Sequence, residues 1–183
     1  GERPLVDAAA AAATAILVGD PHDPATVVGP LAAERQRARV EDYIKLAVKE
    51  GARLVTGGGR PAHLKKGWYV EPTILADVDN AMTIAQEEIF GPVVCMIAYD
   101  GDDDAVRIAN DSRYGLAGGV WSADDRRAFD LARRLRTGSV TVNGIPAPFP
   151  HVPFGGFKQS GIGRELGPDG LRSFLEPQSI GLP

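Results

Sequence analysis

The sequence predicts an α/β fold, an open and mainly parallel sheet with flanking helices, on the strength of three observations. Between Val93 and Val142, strand-length apolar runs alternate with amphipathic stretches in the order β-α-β-α-β. That order calls for parallel strands joined by right-handed crossovers. One of the runs, Val93 to Tyr99, is continuously apolar, the pattern of a strand covered on both faces. A chain of 183 residues that is 44% hydrophobic is also long enough to bury a sizeable core.

The chain opens with an alanine-rich helix, Leu5 to Leu17, which the turn-forming run Gly19-Asp20-Pro21-His22-Asp23-Pro24 ends. In the second helix Pro30 suits the first turn, and Val40, Tyr43, Ile44, Ala47 and Val48 recur at helical spacing, with Gly51 placed to stop it. Leu54-Val55 reads as a short strand before the turn Gly57-Gly58-Gly59, and Trp68 to Leu75 as a further extended segment. After the Val93 run, a helix begins at Asp102. Its acidic first turn, Asp102 to Asp104, suits the positive end of the helix dipole, with Val106, Ile108 and Ala109 turned inward. Leu116 to Trp121 returns as a strand. Ser122-Ala123-Asp124-Asp125 resembles a capping box with Asp in place of Glu, opening a helix to about Arg136 that Gly138 stops. Val140-Thr141-Val142 is the last strand of the alternation.

Beyond Asn143 comes a Pro- and Gly-rich loop, Ile145 to Gly163, long for a compact domain and so a functional candidate. Phe149, Phe154 and Phe157 on it favour a docked loop. A short helix, Glu165 to Leu171, and an extended segment, Ser173 to Ile180, close the chain.

Composition excludes several classes. Lys plus Arg number 20 against 24 Asp plus Glu, a formal net charge of -4, without a basic block, so neither nucleic acid nor an anionic membrane is an expected partner. Arg133, Arg134 and Arg136 cluster at a helix end, where cations complement the dipole. The single cysteine, Cys95, rules out an internal disulfide and fits a reducing compartment, with cytoplasm the default. The apolar run Ala8 to Val18 falls far short of the ~20 residues that span a bilayer, and Asp7 argues for a helix over a signal segment. Gly1 is not a methionine, which reads as a processed end, a tag remnant or a cut. His22, His63 and His151 are isolated, so metal ligation has nothing to build on. Asp102 to Asp104 lacks the alternating ligands of a calcium loop. Gly161-Ile162-Gly163 with Gly167 misses dinucleotide-loop spacing, and no P-loop pattern is present.

Two segments carry more. Glu87-Glu88-Ile89-Phe90-Gly91-Pro92 and Pro153-Phe154-Gly155-Gly156-Phe157-Lys158-Gln159-Ser160-Gly161-Ile162-Gly163-Arg164-Glu165-Leu166-Gly167 closely resemble two C-terminal signatures of the NAD(P)-dependent aldehyde dehydrogenase superfamily. Gly19-Asp20-Pro21, Val28-Gly29-Pro30, Glu71-Pro72-Thr73, Ala109-Asn110, Tyr114-Gly115-Leu116 and Val142-Asn143 match in order and spacing, so the resemblance covers almost the whole chain. It implies a three-layer catalytic domain over residues 1–159, lacking its N-terminal part, and a C-terminal helix and oligomerisation strand over 160–183. It also implies that NAD or NADP is held by Glu88, Ile89 and Phe90. Glu88 would bind the nicotinamide ribose hydroxyls, since a carboxylate offers two acceptor oxygens to a vicinal diol. Phe90 would pack beside the nicotinamide ring. Phe154 and Phe149 would line an apolar aldehyde tunnel. Pro148 stands where many relatives carry a tunnel aromatic, and Asn143 reads as structural.

The family reaction uses a cysteine thiolate, hydride transfer to NAD(P)+, and hydrolysis of a thioester to the acid. The residues matching that cysteine, its glutamate base and the oxyanion-assisting asparagine lie upstream of Gly1 in the family's order. No catalytic residue is therefore expected here, and the 183 residues alone are expected to be inactive. Cys95, in an apolar strand, is expected to carry a raised pKa and act as a small hydrophobe. Two other readings stay open: a truncated, non-catalytic relative acting as an oligomerisation or regulatory partner, and a CoA-acylating semialdehyde dehydrogenase. A homo-oligomer formed through the last strand is expected, since such a strand has unpaired edge groups.

Overall fold

The computed structural model describes residues 2–145 and 149–182, and the chain divides into two compact units that meet at Ala98/Tyr99. In the first, α1 (Glu2–Ala15) and α2 (Glu34–Glu50) precede β1 (Arg53–Thr56), β2 (Thr73–Ala76), the single turn α3 (Thr83–Gln86) and β3 (Val93–Cys95). α1 ends two residues before the expected limit. The Leu17 carbonyl is taken by the N–H groups of Val27 and Val28, so the chain there is committed to a bridge between Val18 and Val28. α2 starts later than expected: Ala33 is extended, and Pro30 lies in the approach to the helix, not in its first turn. Its end is as the sequence predicts. Gly51 takes φ +113, a left-handed value that glycine adopts without a Cβ penalty, and its N–H donates to the Ala47 and Val48 carbonyls.

β2 is the centre of this unit's sheet, antiparallel to β1 and parallel to β3, with Thr73 opposite Val93 and Leu75 opposite Cys95. All of β2 is buried. Val40, Ile44 and Ala47, spaced on one face of α2, close over Leu75, Val70, Val78, Ile84 and Ile89 as one apolar core.

In the second unit α4 (Gly101–Asn110), β4 (Ala117–Val120), α5 (Asp125–Ala132) and β5 (Ser139–Val142) lead to a 3₁₀ turn (Lys158–Ser160) and α6 (Gly167–Arg172). β4 and β5 pair in parallel, Ala117 opposite Ser139 through Val120 opposite Val142. The α/β class with parallel pairing and flanking helices is as predicted. The expected alternation over Val93–Val142 nevertheless divides between two sheets, because β3 bonds to β2 and β4 to β5. Nor is β3 covered on both faces among the described residues, for Val94 is 53% exposed. On α4, Val106 and Ile108 are half-buried and Ala109 is exposed.

The cap of α5 also differs from expectation. Asp124, not Ser122, is the N-cap, its carboxylate accepting from the N–H groups of Arg126 and Arg127 at 3.0 and 3.1 Å. Ser122 Oγ accepts from the Asp124 N–H one step earlier. Ser173 to Ile180 has no ladder partner among the described residues. Among the described residues no helix is long and apolar enough to cross a membrane.

Candidate functional site

The turn that joins α3 to β3 carries Glu88, Ile89 and Phe90, and it is fastened to α2. Gln36, Arg39, Val40 and Tyr43 fall on one face of that helix at spacings of three and four residues. Gln36 Nε2 donates to the carbonyls of Ile89 and Phe90 at 3.1 and 2.9 Å, and Arg39 donates to the Glu88 carbonyl at 2.9 Å. The Tyr43 hydroxyl donates to the Glu87 carboxylate, and the Arg39 guanidinium lies over the Tyr43 ring at 4.7 Å. Gly91 presses directly on the helix, since a Cβ there would stand 2.5 Å from Val40 Cγ2. Ile89 is the turn's apolar anchor, buried against the core of the unit.

This fastening has a physical purpose. Phe90 has φ +56, a left-handed backbone that costs a bulky side chain roughly 1–3 kcal/mol, and the residue is 71% exposed. No burial of the ring offsets that strain. Two hydrogen bonds from one amide, worth about 0.5–1.5 kcal/mol each, are of the right size to do so. Beside it, Glu88 is exposed, and its carboxylate makes no hydrogen bond or ion pair among the described residues. Glu87, by contrast, is committed to Tyr43. An uncommitted carboxylate next to an exposed, backbone-locked aromatic ring suits a ligand that carries both a diol and a flat heterocycle.

Phe149 and Phe154 belong to the second unit. The Phe149 ring lies 6.0 Å from that of His151 and is largely exposed. Phe154 is held by its backbone, exchanging two 2.7 Å bonds with Glu165 in an antiparallel bridge. Glu88, Ile89 and Phe90 thus come together as one turn, and Phe149 and Phe154 are placed on a separate loop; Pro148 lies outside the described residues. That loop is pinned by polar groups. The Gly115 carbonyl accepts from Gly138 and Phe157 at 3.0 and 2.8 Å, Ser160 Oγ accepts from the Gly115 N–H, and Lys158 Nζ donates to the carbonyls of Asn110 and Ser112.

Asn143 has the structural character the sequence suggests. At φ +49 just past β5, its amide accepts from the Ser122 N–H and donates to the Ser122 carbonyl and the Asp125 carboxylate, each at 2.8 Å. Cys95 is half-buried in β3, burial pushes its thiol up, and Sγ reaches the Ile84 carbonyl at 3.9 Å. Its surroundings disfavour the thiolate. Among the described residues no His, Cys, Asp and Glu side chains gather into a group of three that could hold a metal ion. The sequence reading gives Gln36 and Arg39 no role, and it names Asn110 and Lys158 only within matching segments, without a role. For the α2 pair, the signal was their spacing around Val40 and Tyr43, which the apolar reading of the helix passed over.

The profile of the aldehyde dehydrogenase family matches residues 2–180, and the chain belongs to that family. It is 53% identical over 176 residues to the geranial dehydrogenase of Castellaniella defragrans, covering 96% of this chain and 36% of that protein. The fold superimposes with a TM-score of 0.95 and 52% identity on an aldehyde dehydrogenase of Mycobacterium tuberculosis complexed with NAD+, covering 99% of this chain and 37% of that one. An aldehyde dehydrogenase C mutant from Pseudomonas syringae, complexed with NAD+ and octanal, is 47% identical with a TM-score of 0.91, covering 95% and 36%. The chain therefore spans little more than a third of the length of these relatives.

Proposed function

We propose that the chain serves as the C-terminal third of an enzyme that oxidises an aldehyde to a carboxylic acid with NAD(P)+, and that Glu88, Ile89 and Phe90 hold the nicotinamide half of the cofactor. The observation that carries this reading is the free, exposed Glu88 carboxylate beside a Phe90 ring on strained backbone. Glu88 accepts from the two ribose hydroxyls, Ile89 anchors the turn, and Phe90 offers its ring face to the nicotinamide. The bound cofactor supplies the hydride acceptor; a cysteine and a general base, contributed from outside these residues, form and hydrolyse the thioester. Water enters, and acid, NAD(P)H and a proton leave. Phe149 and Phe154 contribute apolar wall to the aldehyde's path, which favours uncharged chains and keeps water from the reacting carbon. The relatives complexed with NAD+ and with octanal support both assignments.

Residues 160–183 are assigned to association with a second copy. Phe174, Leu175, Ile180 and Leu182 are all exposed on a segment without a ladder partner among the described residues, which supports that reading. The single cysteine supports a reducing, cytoplasmic setting.

Steady-state assay of the whole enzyme with an aliphatic aldehyde and either cofactor tests the reading. Glu88→Gln is expected to lower kcat/KM for the cofactor roughly 10- to 100-fold, the size of a charged hydrogen-bond pair. Undiminished activity in that variant would overturn the role of Glu88. Acyl-CoA formed on addition of CoA would move the protein to the acylating class, and no turnover with any aldehyde would favour the non-catalytic partner.

A further inference from the structure

We infer that Gln36 is a positioning residue for hydride transfer: it holds Phe90 in its left-handed backbone and thereby fixes the direction of the ring. The inference rests on the reading that Phe90 packs beside the nicotinamide. Consecutive carbonyls point to opposite sides of an extended chain, so one amide can reach both only when the residue between them is turned. The two N–H groups of Gln36 Nε2 meet the Ile89 and Phe90 carbonyls at 3.1 and 2.9 Å, and φ of Phe90 is +56. The paired bonds fit the turned backbone, and the turned backbone is what lets one amide make both. Arg39 and Tyr43 fasten Glu88 and Glu87, and Gly91 rests on Val40, but Gln36 alone among these holds residue 90 itself. With the residue 71% exposed, little packing holds the side chain, so the side on which the ring is offered follows from the Cα–Cβ direction that the backbone sets. Gln36 carries no proton or electron pair in the reaction. Its part would be to hold the Phe90 side chain where it could pack beside a bound nicotinamide, which supplies the hydride acceptor.

Two variants test this, Gln36→Leu, which removes the donor, and Gln36→Lys, which restores one of similar reach. Amide hydrogen exchange of the peptide around residues 87–93 in the 183-residue chain reads the fastening without any assay of activity. Exchange is expected to quicken about tenfold in Gln36→Leu, as local opening becomes easier, and to recover in Gln36→Lys. In the whole enzyme Gln36→Leu is expected to lower kcat roughly 10- to 100-fold, as a misplaced reactant does, with KM for NAD+ little changed. A larger isotope effect is expected with an aldehyde deuterated at the transferred position, and the lysine variant should regain most of the rate. Unchanged exchange in Gln36→Leu would overturn the fastening itself. Faster exchange with kcat and isotope effect unmoved would show the fastening real and the nicotinamide role of Phe90 wrong. A parallel loss of kcat and cofactor affinity with a lowered melting point in both variants would reduce Gln36 to a structural residue.

Discussion

Each of the two units of this chain is stabilised internally by different physics. Up to Ala98 the structure is a conventional apolar core, with Leu75, Val40 and Ala47 fully buried and a whole β-strand enclosed. From Tyr99 onward, the only hydrophobic side chain fully buried among the described residues is Ala128, while Trp121, Phe129, Ile145, Ile162 and Phe174 stand exposed. What binds the second unit is a lattice of backbone and polar contacts. Gly138 approaches Gly155 so closely that a Cβ would run into the Gly155 carbonyl, and Asn110 bonds the Arg134 carbonyl and the Arg136 N–H at 2.9 and 2.7 Å. Asp102 and Asp103 pair with Arg127 and Arg134. A unit that leaves so much apolar surface uncovered draws less on burial and more on polar groups that fix its backbone. The first unit can rely on burial and the second must rely on geometry.

Leu75→Ala should break the comparison hardest, costing roughly 2–5 kcal/mol by urea unfolding because the lost methyls leave a cavity in a closed core. If it costs less than Asn110→Ala, the first unit is not the one that depends on burial. Gly138→Ala comes next, at about 1–3 kcal/mol or more, because backbone on both sides must move. Trp121 fluorescence in a Trp68→Phe background would show the second unit melting first; an unaltered melt would sink the close-packing account. Asn110→Ala should cost about 1–2 kcal/mol by the same readout, two bonds being removed at once.

A smaller effect concerns acid. The Arg60 guanidinium hydrogen-bonds the Glu41 carboxylate and, with Arg37 and Lys45, holds its carboxyl below the usual range. The folded state therefore binds fewer protons than the unfolded one. The stabilisation is complete at neutral pH and is lost as the pH falls through the lowered value. Glu41→Gln should flatten the acid limb of stability against pH; an unchanged limb would show the pair to be idle. Phe174→Ser, the least of these, should change stability by no more than ~0.5 kcal/mol, since its side chain is already 85% exposed.

Local signals in the sequence were readable and non-local ones were not. Gly51 marks the end of α2 because only its backbone conformation is at issue, and the β4-α5-β5 unit follows from periodicity. The destination of β3 depends on which neighbour bonds its edge, and nothing within Val93 to Tyr99 encodes that. The α5 cap is Asp124 and not Ser122, whose hydroxyl is taken by the Asp124 N–H and whose backbone is tied to Asn143, 21 residues on. The turn of Glu88 and Phe90 was legible only as a resemblance. The spacing of Gln36 beside Val40 and Tyr43 marks a shared helix face, but it does not name the two carbonyls, 53 and 54 residues away, that the glutamine grips.

Asn143 is followed by Gly144, the pair in which a side-chain amide is most readily attacked by the next backbone nitrogen and converted to an acid. Its amide is the strut between the end of β5 and the start of α5, donating to Ser122 and to the Asp125 carboxylate. Conversion would set a new carboxylate against Asp125 and remove both donors, so the strut would become a wedge. The protein's shelf life in mildly alkaline buffer should therefore be set at this residue. Peptide mass spectra of aged samples would follow it, and an Asn143→Asp change that leaves the second unit's melt untouched would refute the idea.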